Sequence, residues 1–134
     1  MNRYVDGFVL PISTDRVSEY RAIAETASRI WKEHGALEYW ECAGDDLETE
    51  CSRTFAEMAG ASEGETVIFA WVVFESRAAR DAANEKIMTD PRMATLLDAV
   101  NPIFDAKRMA HGGFRELVGS GAVTSTPPGT RGES

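Results

Sequence analysis

The hydrophobic pattern of the sequence changes period within one segment, Trp31-Lys32-Glu33-His34-Gly35-Ala36-Leu37-Glu38-Tyr39-Trp40-Glu41. Before this segment, apolar residues recur every three or four positions, which is the period of a helix. After Gly35 they alternate, which is the period of a strand. Glycine adopts the left-handed backbone conformation that ends many helices at little cost. The segment therefore predicts a helix that ends at Gly35 and leads directly into a strand.

Four strands and two main helices are predicted around this junction. The predicted strands are residues 4–12, 36–43, 66–74 and 107–118, and the predicted helices are residues 15–34 and 77–88. Short helices are also predicted near Phe55 and after Asp90-Pro91, because proline fits the first turn of a helix but not its interior. The order βαββαβ is typical of an α+β, ferredoxin-like domain, with both main helices on one face of the sheet and with strands one and three in the middle.

Length and composition indicate one soluble domain, residues 1–118, followed by a tail. Residues 119–134 contain glycine, serine, threonine and proline but no aromatic residue, so we expect a flexible tail. The net charge of −8 argues against binding to nucleic acid or to an anionic membrane. The sequence shows neither a signal-peptide pattern nor a membrane-spanning apolar run, so a cytoplasmic location is expected. Cys42 and Cys51 are expected to be free thiols.

The third predicted strand is apolar on both sides, whereas a ferredoxin-like sheet has one uncovered face. The residues predicted to face the helices are Ile68, Ala70, Val72, Val5, Gly7 and Val9. Those predicted to form the uncovered face are Phe69, Trp71, Val73, Tyr4, Asp6 and Phe8. Because monomers rarely expose large apolar patches, a second copy is expected to cover this face, giving a homodimer.

Several segments resemble the YbaA-like family of uncharacterised bacterial proteins. They are Tyr4–Pro11, Trp31–Tyr39, Ser76–Asp81, Asp90–Met93 and Phe104–Met109, and the resemblance extends over about residues 3–118. It implies a dimeric α/β barrel, the architecture of antibiotic-biosynthesis monooxygenases and of several haem-handling or cofactor-free enzymes. The family offers no settled activity or catalytic residues to carry over, so the cofactor, if any, is unknown.

Asp6 is the most unusual candidate site residue, because it is a carboxylate in the middle of a central strand. A buried, unpaired carboxylate is costly or stays protonated. Arg108 and His111 on the neighbouring last strand are possible partners. The residues leave two interpretations open, a pocket residue or a structural ion pair.

His34 is a second candidate, an acid, base or ligand at the mouth of the barrel. The alternative is that it bonds the terminal carbonyls of its helix, where a cation is favoured by the helix dipole. The acidic residues of the 45–64 connection lack the spacing of a calcium loop, so no metal site is predicted. Phe69 and Trp71 resemble the base-stacking aromatic residues of RNA-recognition motifs, but the basic and glycine positions of that motif are Val67 and Ile68 here.

Two functions remain open at this point. One is a small-molecule enzyme or binder whose pocket lies between the sheet and its dimer partner and is lined by Asp6, Phe69, Trp71 and His111. The other is a non-catalytic dimer with a packed interior. RNA binding is a distant third.

Overall fold

A computed structural model describes residues 2–121, which form a four-stranded antiparallel sheet and four α-helices. In chain order the elements are β1 (Tyr4–Ser13), α1 (Val17–Glu33), β2 (Glu38–Ala43), α2 (Phe55–Ala59), β3 (Glu65–Phe74), α3 (Arg77–Met88), α4 (Arg92–Val100) and β4 (Ala110–Arg115). The strand order is β2-β3-β1-β4, so β1 and β3 are central, as predicted. The α+β class is therefore confirmed. Most of the predicted tail, residues 122–134, lies outside the described residues.

The junction between α1 and β2 follows the prediction from the sequence. The last turn of α1 closes with the backbone N–H of His34 donating to the carbonyl of Ile30 at 3.2 Å. Gly35 follows with φ of 122°, a conformation that side-chain-bearing residues rarely adopt. The N–H of Ala36 then bonds back to the carbonyl of Trp31 at 3.0 Å, which satisfies another terminal carbonyl before the strand begins.

The register of β1 corrects the predicted assignment of its two sides. Asp6 pairs with Val72 and Phe8 with Ala70, and directly opposed residues share a face of the sheet. Val72 packs against the helices, so Tyr4, Asp6 and Phe8 also face them. The prediction that these three residues lie on the uncovered face was wrong, as was its converse for Val5, Gly7 and Val9. Because side chains alternate along a strand, a shift of one residue moves every side chain of that strand to the opposite face of the sheet.

The core lies between the sheet and the helices α1, α3 and α4. One cluster centres on Phe74 and Val72 and includes Ile30 of α1, Ile87 of α3 and Met93 of α4. A second cluster, below the first strand's C-terminal half, consists of Leu10, Ile12, Tyr20, Ile68 and Ile103. These contacts fix the three helices on one side of the sheet.

The other side of the sheet, called here the open face, is only partly covered. At one end, α2 packs against it, with the ring centroids of Phe55 and Phe69 5.8 Å apart. The two main helices, α1 and α3, cover one face as predicted and α4 joins them there, whereas the short α2 lies on the other face. Away from this contact, Trp40 and Phe114 are 52% and 62% exposed, and Phe69 beside α2 is still 44% exposed. Within residues 2–121, none of the helices is long and apolar enough to cross a membrane.

Candidate functional site

A cavity of about 200 Å³ lies on the helix side of the sheet. Its floor is formed by Phe8, Ala70 and Val72 of the two central strands. Its sides come from α1 and α4, where Ala27 and Leu96 are typical of the apolar lining. Small residues on the floor and on α1 leave this space between elements that are otherwise closely packed. The cavity therefore has the size and lining of a site for a small apolar molecule.

One end of the cavity carries a cluster of three polar side chains, called here the Tyr–Glu–Tyr cluster: Tyr20, Glu41 and Tyr39. Tyr39 and Glu41 are two apart on β2 and share its helix-facing side, whereas Tyr20 reaches them from α1. The hydroxyl of Tyr39 donates to Oε2 of Glu41 at 2.6 Å. The hydroxyl of Tyr20 donates to the other carboxylate oxygen, Oε1. A single carboxylate thus joins the strand to the helix at the edge of the cavity.

The surroundings of the cluster keep both phenols protonated. Burial is the main cause that raises the pKa of Tyr20 and of Tyr39, and the neighbouring charge of Glu41 raises both further. A phenol that donates its proton to a carboxylate retains only acceptor capacity on its oxygen. An ionised carboxylate is also an acceptor only. The Tyr–Glu–Tyr cluster consequently offers hydrogen-bond acceptors to whatever lies beside it.

The same three side chains also line a groove on the outer side of the protein. This groove of about 510 Å³ runs between α1 and β2 and includes Arg21 and Cys42. Because Tyr20, Glu41 and Tyr39 belong to both linings, the cluster separates the apolar cavity from the outer groove.

Asp6 forms a buried ion pair with Arg80 of α3. Nη1 of Arg80 lies 2.7 Å from Oδ1 of Asp6, and the Arg80 guanidinium lies over the ring of Tyr4, 4.8 Å from its centroid. Asp6 is 7% exposed, and burial raises the pKa of its carboxyl although Arg80 acts in the opposite direction. The structure thus favours the ion-pair interpretation of Asp6. The prediction that Asp6 lies between the sheet and a dimer partner was wrong, because Asp6 faces the helices.

His111 lies near Asp6, as the sequence suggested, but its direct contact is with Phe8. It pairs with Phe8 across β1 and β4, and the two rings stack with centroids 5.9 Å apart. Its charge favours the ionised form of Asp6, a smaller effect than burial. Since Phe8 lines the cavity, His111 lies beside the cavity floor, on the helix face of the sheet, as an exposed side chain.

His34 joins the end of α1 to the start of α4. Its Nε2 lies 2.8 Å from Oδ2 of Asp90, so its ring contacts this carboxylate rather than the carbonyls expected from the sequence. Asp90 also accepts from the backbone N–H and the side chain of Arg92, which in turn pairs with Glu33 at 2.7 Å. The bonds from Arg92, and then from His34, hold the pKa of Asp90 well below its usual range. This network has the features of a structural joint, away from the cavity.

The remaining sequence candidates lie elsewhere. Phe69 and Trp71 are on the open face, with ring centroids 5.3 Å apart. Arg108 is not a partner of Asp6; it donates to Glu65 at 2.8 Å and to the carbonyl of Gly60 at 2.7 Å. The six candidates therefore do not form one site. Among residues 2–121, no three His, Cys, Asp or Glu side chains are close enough to hold a metal ion.

The residues missed by sequence reasoning are Tyr20, Tyr39, Glu41 and Arg80. Glu41 gave a weak signal, since it is an acid that shares a strand face with Tyr39 and Leu37. Both faces of that strand mix apolar and acidic residues, however, so alternation alone could not show which face is buried. The sequence did not indicate the role of Arg80, because its partner, Asp6, lies 74 residues away in the chain.

Comparisons with known proteins agree with this architecture. Two solved structures with the same fold are a NIPSNAP family protein of unknown function from Agrobacterium tumefaciens and a putative antibiotic biosynthesis monooxygenase from Nitrosomonas europaea. The first has a TM-score of 0.56 at 15% identity and covers 88% of this chain and 91% of its own. The second has a TM-score of 0.55 at 12% identity and covers 89% and 94%. At these identities the likeness shows the fold alone.

The sequence comparisons are more specific. The uncharacterized protein YbaA of Escherichia coli K12 is 40% identical over 116 residues, which cover 87% of this chain and 97% of YbaA. Residues 3–106 match the family described as a protein of unknown function, DUF1428. The resemblance noted in the sequence is thereby confirmed, and the chain belongs to the DUF1428 family.

Proposed function

We propose that this protein binds a small, largely apolar molecule in the cavity between its sheet and its helices. The observation that carries the proposal is a cavity of about 200 Å³ with an apolar lining and a single polar end. An engineered apolar cavity of about 150 Å³ is large enough to bind benzene. The expected ligand is therefore about the size of one six-membered ring with a short substituent.

The alternative is an interior that has only a packing role. Protein cores contain few voids larger than a water molecule. This cavity is partly open to solvent, so its cost to the core is below the roughly 5 kcal/mol that full enclosure would give at about 24 cal/mol per Å³. A single larger residue at Ala27 or Ala70 would remove much of that cost. The small residues that line the space, Ala24, Ala27 and Ala70, favour a binding role over a packing role.

The test uses toluene as a probe and nuclear magnetic resonance of methyl groups as the readout. We expect saturable shifts of the Ile23 and Leu96 methyls, which line the cavity, with a dissociation constant of about 1 mM or lower. Val67, which is buried but does not line the cavity, serves as an internal control.

A cavity-filling variant makes this test specific. Ala27→Leu should weaken toluene binding at least about tenfold while keeping or raising the melting temperature, because filling a cavity commonly stabilises a protein. Ala22→Leu, on the exposed side of the same helix, is the matched control. Unchanged toluene binding in Ala27→Leu, or no saturation in the parent protein, would contradict the proposal.

The open face supports a second element of the proposal, a homodimer. Trp40 and Phe114 expose much of their surface on this face, and α2 covers only its other end. A second copy related by a two-fold axis would bring two such faces together. Sedimentation equilibrium should show a dimer at micromolar concentration, and Trp40→Glu should shift it towards monomer. A parent protein that stays monomeric would contradict this element.

The cysteines support a cytoplasmic location for this dimer. Cys42 and Cys51 are both exposed and free, which is the usual state of thiols in a reducing compartment.

A further inference from the structure

We infer that the ligand of the cavity carries a hydrogen-bond donor and no negative charge, and that Glu41 imposes both requirements. The inference rests on the proposed function, since it concerns the polar end of the same cavity.

The hydrogen bonds of the Tyr–Glu–Tyr cluster carry the first requirement. Each phenol has one proton, and both protons are already donated to Glu41. What the cluster has left is acceptor capacity, on the two phenol oxygens and on the carboxylate. A ligand with a hydroxyl, amine or amide N–H can satisfy this capacity. A ligand whose polar group only accepts would meet acceptors, and its desolvation would not be compensated.

The charge of the lining carries the second requirement. Among the residues that line the cavity, all in the described part of the chain, only Glu41 is charged. The lining thus provides no cation that could offset a ligand carboxylate or phosphate placed beside Glu41. Like charges at close range in a poorly solvated site repel strongly. An anionic ligand is therefore excluded.

The geometry also explains why Glu41 can act in this way. Its carboxylate is held from both sides, by a strand tyrosine two residues away and by a helix tyrosine, so its position does not depend on the ligand. A preorganised acceptor loses little entropy when the ligand binds. Hydrogen bonds to charged groups contribute enough to change affinity by about tenfold or more.

The experiment compares four probes of similar size: toluene, phenol, benzonitrile and benzoate. They present no polar group, a donor, a neutral acceptor and an anion, respectively. We expect phenol to bind about tenfold more tightly than toluene and benzonitrile, and benzoate to show no saturation at concentrations that saturate with toluene. If toluene does not bind at all, the proposed function itself fails. If toluene binds but phenol has no advantage, or benzoate binds as well as phenol, only the present inference is overturned.

Variants assign the preference to Glu41. Glu41→Gln should reduce the phenol advantage to about threefold or less, with toluene affinity unchanged within about twofold. Glu38→Gln removes the same charge from the opposite face of β2 and should keep the parent preference. If Glu41→Gln fails to fold, Tyr39→Phe provides a second test, because it frees an oxygen of Glu41 and should keep or increase the phenol advantage. Loss of that advantage in Tyr39→Phe, or its retention in Glu41→Gln, would overturn the role of Glu41.

Discussion

The two faces of the sheet differ in how completely one chain covers them. On the helix face, Leu10, Val72 and Phe74 are at most 1% exposed. On the open face, Trp40 and Phe114 expose more than half of their surface. On the helix face, the helices of the same chain bury a core and line a cavity. The open face is covered by its own chain only where α2 packs against it. The difference matches the two roles that we propose, a folding core with a binding cavity on one side and a surface for a second copy on the other.

The faces also differ in how they treat charge. On the helix face, the buried Asp6 pairs with Arg80, and Glu41 accepts hydrogen bonds from two phenols. On the open face, Glu38 pairs with Arg3 at 3.7 Å, and both side chains are more than a third exposed. Loss of a partner should therefore lower the free energy of unfolding more on the helix face than on the open face.

The largest expected effect comes from shortening one phenylalanine on each face. Phe74→Ala should lower the free energy of unfolding by about 4 kcal/mol, because Phe74 is fully buried. Phe114→Ala should cost less than about 1 kcal/mol in the monomer, since its ring is 62% exposed. Urea unfolding at two protein concentrations measures both. If Phe114→Ala were as costly as Phe74→Ala at every concentration, the open face would be covered by its own chain.

The second effect compares one ion pair from each face. Asp6→Asn should lower the free energy of unfolding by about 3 kcal/mol, because it leaves the largely buried Arg80 without its partner charge. Glu38→Gln, in an exposed pair, should change it by less than about 0.5 kcal/mol. Denaturant titrations of the two variants and the parent give the comparison directly. Equal effects would mean that the Asp6 pair contributes no more than a surface contact.

The sequence predicted the elements well because their signals are local. The helix at α1, the glycine that ends it, the short helix at Phe55 and the restart after Pro91 each depend on a few neighbouring residues. The strand order followed from the order of the elements and was also confirmed. These features need no information about distant parts of the chain.

The sides of β1 and the site depended on distant parts of the chain. Asp6 looked like an open-face residue because its same-side neighbours Tyr4 and Phe8 are aromatic. Leu10 and Ile12 share that side and are each 1% exposed, and their burial determines which way the strand faces. The partner of Asp6 comes from α3, and the partner of Glu41 on α1 is 21 residues away. Single-sequence patterns do not contain such pairings.

A smaller effect is expected at acid pH, at the end of the open face where α2 lies. Hydrogen bonds from Arg108 lower the pKa of Glu65 to about 2. Because the folded-state pKa lies below the unfolded value, this carboxylate stabilises the fold above about pH 4.5, and its contribution is lost as the pH falls towards 2. With Arg108 partly exposed, we expect a contribution of about 1 kcal/mol.

The measurement is the free energy of unfolding of the parent and of Glu65→Gln between pH 7 and pH 2.5. The variant should be less stable at neutral pH, and the difference should shrink as the solution is acidified. A difference that stays constant with pH would show that Glu65 does not titrate in this pair.

The smallest expected effect concerns RNA and asks whether the open face could be a stacking platform instead of a dimer surface. Phe69 and Trp71 lie side by side there, and Trp40 stacks on Trp71 with ring centroids 6.2 Å apart. Aromatic residues on a sheet can stack on bases, but affinity for RNA also requires cations that contact phosphates. The net charge of −8 and the acidic Glu38 on this face oppose such contacts. We therefore expect no gel shift of single-stranded RNA below about 10 µM protein at physiological salt, and no change in Trp71→Ala. A salt-sensitive shift at sub-micromolar protein that Trp71→Ala abolishes would reverse the comparison, because the open face would then be completed by a nucleic acid rather than by a second copy.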